Sequence, residues 1–98
     1  MPLLDFDALA RHLPGPWAST VLGQVGPARI KVLRMDAQAY PQETHDYNEG
    51  LLVISGCLRL DIGGAVVEVG PGNLYLVPAG QAHGVLAGSH GTLVIVDV

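Results

Sequence analysis

Near the N-terminus, hydrophobic residues recur with the period of a helix. One face of such a helix would carry Phe6, Leu9, Ala10 and Leu13. Asp5 stands where an N-cap residue is expected, and the segment LPGPW ends the pattern because proline and glycine disfavour helix continuation. We therefore predict a short helix from residue 6 to about residue 13, within a helical lead-in that covers residues 1–16.

After residue 16 the helical period disappears and short β-type runs take its place. The segment RIKVLRM alternates, which predicts one face buried and the other in contact with water. The segment CLRLDI alternates more regularly, and Gly63 and Gly64 supply the positive φ angles of a tight hairpin before AVVEV. No strand in this interpretation exceeds eight residues. The pattern predicts an antiparallel β-protein over residues 17–98.

Two later runs, LLVI and TLVIV, do not alternate. Such runs are typical of strands that are covered on both faces. A chain of 98 residues forms one domain, and a domain of this size can rarely cover both faces of a sheet by itself. We therefore expect a homodimer built on one sheet. Short strands separated by turns such as GPGN and PAGQ favour a sandwich or a small barrel.

Composition narrows the class of protein further. The chain is 49% hydrophobic and 14% charged, which indicates a compact globular domain. Its formal net charge is −4, and its five basic residues are scattered, so nucleic acid and membrane surfaces are not expected partners. Cys57 is the only cysteine, and the first residues lack the basic and apolar segments of a signal peptide. We predict a cytoplasmic location.

The candidate chemistry lies in two stretches, ETHDYNEGLLVISG and GPGNLYLVPAGQAH. In the first, Glu43 and His45 point the same way on an extended chain, and Glu49 follows shortly after. In the second, Gly72, Pro78 and Gly80 precede His83 at short intervals.

Together the two stretches resemble the paired motifs of the cupin superfamily. His45, Glu49 and Gly56 stand at the second histidine, the glutamate and the closing glycine of the first motif. The second motif is matched at Gly72, Pro78, Gly80 and His83. The chain departs from the motifs at three positions, with Ala37 for a glycine, Glu43 for the leading histidine and Ala87 for an asparagine.

The resemblance implies an all-β fold, an antiparallel jelly-roll or double-stranded β-helix, here with a short N-terminal helix and one cupin domain over residues 1–98. It also implies that a divalent metal ion, Fe, Mn, Ni or Zn, is held by His45, Glu49 and His83, with Glu43 as a fourth ligand. A carboxylate at position 43 would favour harder cations.

Alternative interpretations of these residues stay open. In one interpretation, His45 and Glu49 form an ordinary ion pair at a cavity mouth. In another, Glu43 is a solvated strand residue, which is more common than a ligand when the position is judged without the family. Three functions follow: metal-dependent action on, or sensing of, a small polar molecule; metal-free binding or regulation by a small-molecule ligand; and a structural dimer. The sequence does not decide whether the protein is an enzyme.

Overall fold

The computed structural model of the protein describes residues 3–98, so residues 1 and 2 of the predicted lead-in lie outside the described part. The predicted helix is confirmed as α1 (Phe6–Arg11). The Asp5 side chain caps it, because Oδ1 accepts a hydrogen bond of 3.2 Å from the Ala8 amide. The helix is shorter than expected, since His12 forms the C-cap and Leu13 lies in the turn that follows.

Eight strands follow the helix, and all pair antiparallel. They are β1 (Thr20–Val25), β2 (Ala28–Asp36), β3 (Tyr40–Glu43), β4 (Glu49–Ile62), β5 (Ala65–Val69), β6 (Leu74–Val77), β7 (His83–Val85) and β8 (His90–Asp97). Neighbouring strands follow the order β1-β2-β8-β4-β7-β3, and β5 and β6 also pair with β4. This curled antiparallel sheet with one N-terminal helix confirms the predicted all-β jelly-roll.

Strand β4 is the centre of the fold, and it is longer than the sequence predicts. The runs LLVI and CLRLDI belong to one strand of 14 residues, so the expectation that no strand exceeds eight residues is wrong. The strand stays continuous because a bulge and Gly56, with φ of +81°, let it bend from its partners β6 and β8 to β5 and β7. A Cβ atom at Gly56 would lie 2.0 Å from the carbonyl oxygen of His90.

The predicted hairpin between β4 and β5 is confirmed. Ile62 pairs with Ala65 across the turn, and Gly63 and Gly64 have φ angles of +58° and +89°. The Gly64 amide donates a 2.9 Å hydrogen bond to Oδ1 of Asp61, which fixes the turn from the strand side.

The sheet is buried on both faces in its middle, and α1 supplies part of the second cover. Inside the curl, the main core contains Leu33, Met35, Leu51, Val53, Leu58, Leu60, Val69, Val77 and Leu93. On the outer face, Ala10 of α1 is buried with Val32 and Val94. Val32 and Leu33 are 0% and 5% exposed, so the expectation that one face of β2 contacts water is wrong. The runs without alternation therefore find cover within the chain itself.

Candidate metal centre

The curled sheet forms a cavity of about 300 Å³ that is lined by both apolar and polar side chains. Its apolar walls include Leu33, Leu51, Leu58, Leu60, Leu93 and Ile95. The four residues predicted to hold a metal, Glu43, His45, Glu49 and His83, all line this cavity. The fold therefore brings the two sequence stretches to one place.

Backbone pairing explains how the four residues meet. Glu43 is the last residue of β3 and is the register partner of His83, the first residue of β7. Glu49 is the first residue of β4. The loop that carries His45 is fastened to the turn before β7, because the Gly80 amide donates a 2.8 Å hydrogen bond to the His45 carbonyl. Strand ends and a pinned loop thus place side chains from both stretches at the cavity.

Both imidazoles lie close to carboxylates. His45 Nε2 is 3.3 Å from Oε2 of Glu43 and 3.6 Å from Oε2 of Glu49. His83 Nε2 is 3.2 Å from Oε1 of Glu49. Candidate ligand atoms of Glu43, His45 and His83 all lie within 4.8 Å of one another. Glu49 is outside that compact group of three, yet its two oxygens contact both imidazoles.

The tautomer of His83 is set by its second nitrogen. Nδ1 lies 3.0 Å from the carbonyl oxygen of Gln81, which can only accept a hydrogen bond. We therefore assign the proton of the neutral ring to Nδ1. Nε2 then presents a lone pair to the carboxylate of Glu49, and both residues are buried, at 5% and 7% exposure. A backbone carbonyl that orients a histidine in this way is typical of metal-ligating histidines.

His45 Nε2 is buried and has no hydrogen-bond partner among the described residues. The distances to Glu43 and Glu49 suit an ion pair, but no hydrogen bond with acceptable N–H geometry forms to either carboxylate. The ring is held by stacking on Tyr47, with 4.8 Å between centroids and an interplanar angle of 10°. A buried ring nitrogen without a partner is costly unless something outside the chain occupies its coordination direction.

The pKa of Tyr47 reflects the charges around the four candidate metal ligands. Burial raises the pKa of the Tyr47 phenol above 10.0, the carboxylates of Asp97, Glu49 and Glu43 raise the pKa further, and Arg29 opposes them. The phenol therefore stays neutral at physiological pH, and its hydroxyl can donate a hydrogen bond to a carboxylate or to a ligand. Sequence reasoning did not single out Tyr47, although its position between His45 and Glu49 was the available signal.

Aromatic residues form part of the cavity wall. Trp17 and Tyr40 line it with 5.0 Å between their ring centroids, and the Trp17 indole donates to Oδ1 of Asp36. Tyr75 packs against the main core. His12 and His90 are exposed and lie outside the cavity lining.

The family model described as "Cupin domain" matches residues 32–98, which include both motif stretches. The chain belongs to the cupin family. No curated protein matches it significantly. Within residues 3–98, no helix of this cupin is long and apolar enough to cross a bilayer.

Solved structures share the cupin architecture over almost the whole chain. A cupin-2 domain containing protein from Shewanella frigidimarina is 18% identical with a TM-score of 0.89, covering 98% of this chain and 94% of that one. Protein NMB1881 from Neisseria meningitidis is 15% identical with a TM-score of 0.84, covering 98% of both chains. A protein of unknown function from Rhizobium leguminosarum is 27% identical with a TM-score of 0.72, covering 93% and 86%. These similarities establish the fold.

Proposed function

We propose that this cupin binds one divalent metal ion through His45, Glu49 and His83, with Glu43 as the fourth ligand, and acts on or senses a small polar molecule in the cavity. The observation that carries the proposal is the buried contact between His83 and Glu49. In the assigned tautomer a lone pair faces a carboxylate at 3.2 Å, and a cation between them would turn repulsion into ligation.

The spacing of the donor atoms supports a metal site. Adjacent ligands of an octahedral ion, each about 2.1 Å from it, are about 3 Å apart. The separations of 3.2 Å at His83 and 3.3 Å at His45 are close to that value. Two imidazoles with two carboxylates suit Fe, Mn, Ni or Zn, and two carboxylates balance the charge of a divalent ion.

The cavity supplies the remaining requirements of such a site. A divalent ion would provide a Lewis acid that polarises an oxygen of the bound molecule. The leucine side chains give the cavity a wall of low polarity, which strengthens electrostatic interactions with the ligand. The neutral phenol of Tyr47 is a hydrogen-bond donor beside the cluster.

A second candidate is a metal-free cupin that binds or senses a small molecule. Glu43, in place of the leading histidine of the motif, is the observation that favours it, because carboxylates at 3.3 and 3.6 Å from His45 are also positioned as ion-pair partners. In this case an imidazolium proton would replace the metal ion as the positive charge. Ligand affinity would then be independent of added metal.

Titration calorimetry with Mn²⁺ and Zn²⁺ tests the proposal on protein stripped with a chelator. We expect about one ion per chain in the wild type and an affinity at least tenfold lower in His83→Ala. His90→Ala is the matched control, because His90 is exposed and its Nδ1 lies 3.1 Å from the nearby Gly88 carbonyl oxygen, outside the cavity. Absence of binding, or equal affinity in wild type and His83→Ala, would reject the metal proposal and favour the metal-free one.

We also propose that the cupin is a homodimer and is cytoplasmic. The dimer is supported by an uncovered apolar strip on the outer face of β6 and the C-terminus, where Leu74, Leu76 and Val98 are 52%, 58% and 51% exposed. Val96 and Gly50 continue this strip across the sheet. Sedimentation velocity of wild type and Leu76→Glu tests the proposed dimer. We expect a dimer for the wild type and a monomer for the variant. A monomeric wild type would contradict the proposal.

A further inference from the structure

A second charged group lies on the cavity wall, on strands β2 and β8. Lys31 Nζ donates a 2.7 Å hydrogen bond to Oδ2 of Asp97, and Arg29 Nε donates one of 3.2 Å to Oδ1. The Asp97 side chain is 3% exposed and that of Lys31 is 17% exposed. Two cations share one carboxylate, so this group carries a net positive charge of one.

Lys31 places its positive charge at the cavity wall. Lys31 and Asp97 line the cavity, whereas Arg29 lies outside the lining, is 37% exposed and also donates to the Val98 carbonyl. An ammonium group has three N–H donors, and Asp97 is its only hydrogen-bond partner among the described residues. Donors are therefore left for a ligand in a partly buried position, where charge-assisted hydrogen bonds are strong.

Strand register relates Lys31 to the candidate metal centre. Lys31 pairs with Ile95 on β8, and Ile95 pairs with Leu51 on β4, two residues from Glu49. Adjacent strands are about 4.8 Å apart, so two strand spacings, about 10 Å, separate the backbones of Lys31 and Leu51. Both side chains line the same cavity. One small molecule can therefore contact Lys31 at one end and the metal cluster at the other.

We propose that Lys31 binds an anionic carboxylate of the cupin's ligand, whose other end meets the metal centre, so that the substrate class is small carboxylic acids. This inference rests on the proposed metal function. A carboxylate suits the site better than a phosphate because a single ammonium, with a net charge of one, faces the cavity and no arginine lines it in the described chain.

Succinate serves as the probe, with its uncharged diamide and inorganic phosphate as comparisons. Trp17 is the only tryptophan and lines the cavity, so its fluorescence reports binding to zinc-loaded protein, and calorimetry gives the affinity. We expect succinate to bind at least about tenfold more tightly than the diamide or phosphate. Lys31→Met should weaken succinate binding by about ten- to a hundredfold and leave zinc affinity within about threefold.

Two variants control for folding and for net charge. Lys31→Arg keeps the cation in the cavity wall and should retain succinate affinity within about threefold. Arg29→Met lowers the net charge by the same amount as Lys31→Met but leaves the Lys31 ammonium in place, so it should weaken succinate binding less than Lys31→Met does. Equal succinate affinity in wild type and Lys31→Met, phosphate binding tighter than succinate, or no succinate binding to zinc-loaded protein would overturn the assignment of Lys31. Zinc titration of the wild type comes first and tests the metal function separately.

Discussion

Nε2 of His83 and Oε1 of Glu49 lie 3.2 Å apart in a buried part of the cupin cavity. Because the other nitrogen of His83 donates to the Gln81 carbonyl, the neutral ring directs a lone pair at the carboxylate. Two buried acceptors in contact are unfavourable without a positive charge between them. A metal ion and a ring proton can each supply that charge, and they predict different responses of the protein to metals.

Glu43 should tune which metal is preferred. In Glu43→His an imidazole replaces a hard oxygen ligand, so Zn²⁺ or Ni²⁺ affinity should rise relative to Mn²⁺ affinity, by about tenfold in the ratio. Glu43→Gln removes the charge and should weaken binding of both metals. Competition titrations against a chelator measure the ratio. An unchanged ratio in Glu43→His would show that residue 43 is not a ligand.

Gly56 and Gly72 allow the cost of a close backbone contact to be separated from the cost of a positive φ. Both have φ of +81°, but a Cβ at Gly56 would meet the His90 carbonyl at 2.0 Å, whereas a Cβ at Gly72 meets nothing within 4 Å. Gly72→Ala should cost about 1–2 kcal/mol of unfolding free energy. Gly56→Ala should cost about 3 kcal/mol or more. Urea denaturation measures both, and equal losses would contradict the contact.

Tyr47 should lower stability at high pH in the metal-free protein. Its folded-state pKa is raised, first by burial and then by nearby carboxylates, so the unfolded chain loses this proton at a lower pH than the folded chain does. The associated stability is present below the unfolded pKa of about 10 and is lost as pH rises through the folded value. The ultraviolet difference titration between wild type and Tyr47→Phe should therefore have a midpoint above pH 10.0. A midpoint at or below that value would contradict the burial of the phenol.

Local signals in the sequence predicted much of the fold. The N-cap at Asp5 and the Gly63 and Gly64 hairpin depend on backbone geometry that a few adjacent residues dictate, and both are present. The continuity of β4 was missed because Gly56 reads locally as a strand end. Only the close approach of β8 shows that glycine is needed there within a continuous strand.

The candidate site was also predicted only in part, because some of its residues come together through contacts between distant segments. The motif spacing identified His45, Glu49 and His83, and the fold places them around one cavity. Alternation along β2 could not identify Lys31 as a cavity residue, because a period of two does not say which face turns inward. Cover of the outer face by α1 was likewise missed, since it depends on contacts between distant segments.

Anomalous diffraction from crystals soaked in Zn²⁺ or Mn²⁺, measured at the absorption edge of the metal, tests the central claim most directly. The account predicts a peak about 2.0–2.3 Å from Nε2 of His45, from Nε2 of His83 and from an oxygen of Glu49. A peak elsewhere would contradict it, as would the absence of a peak between these three side chains in crystals soaked at a saturating metal concentration.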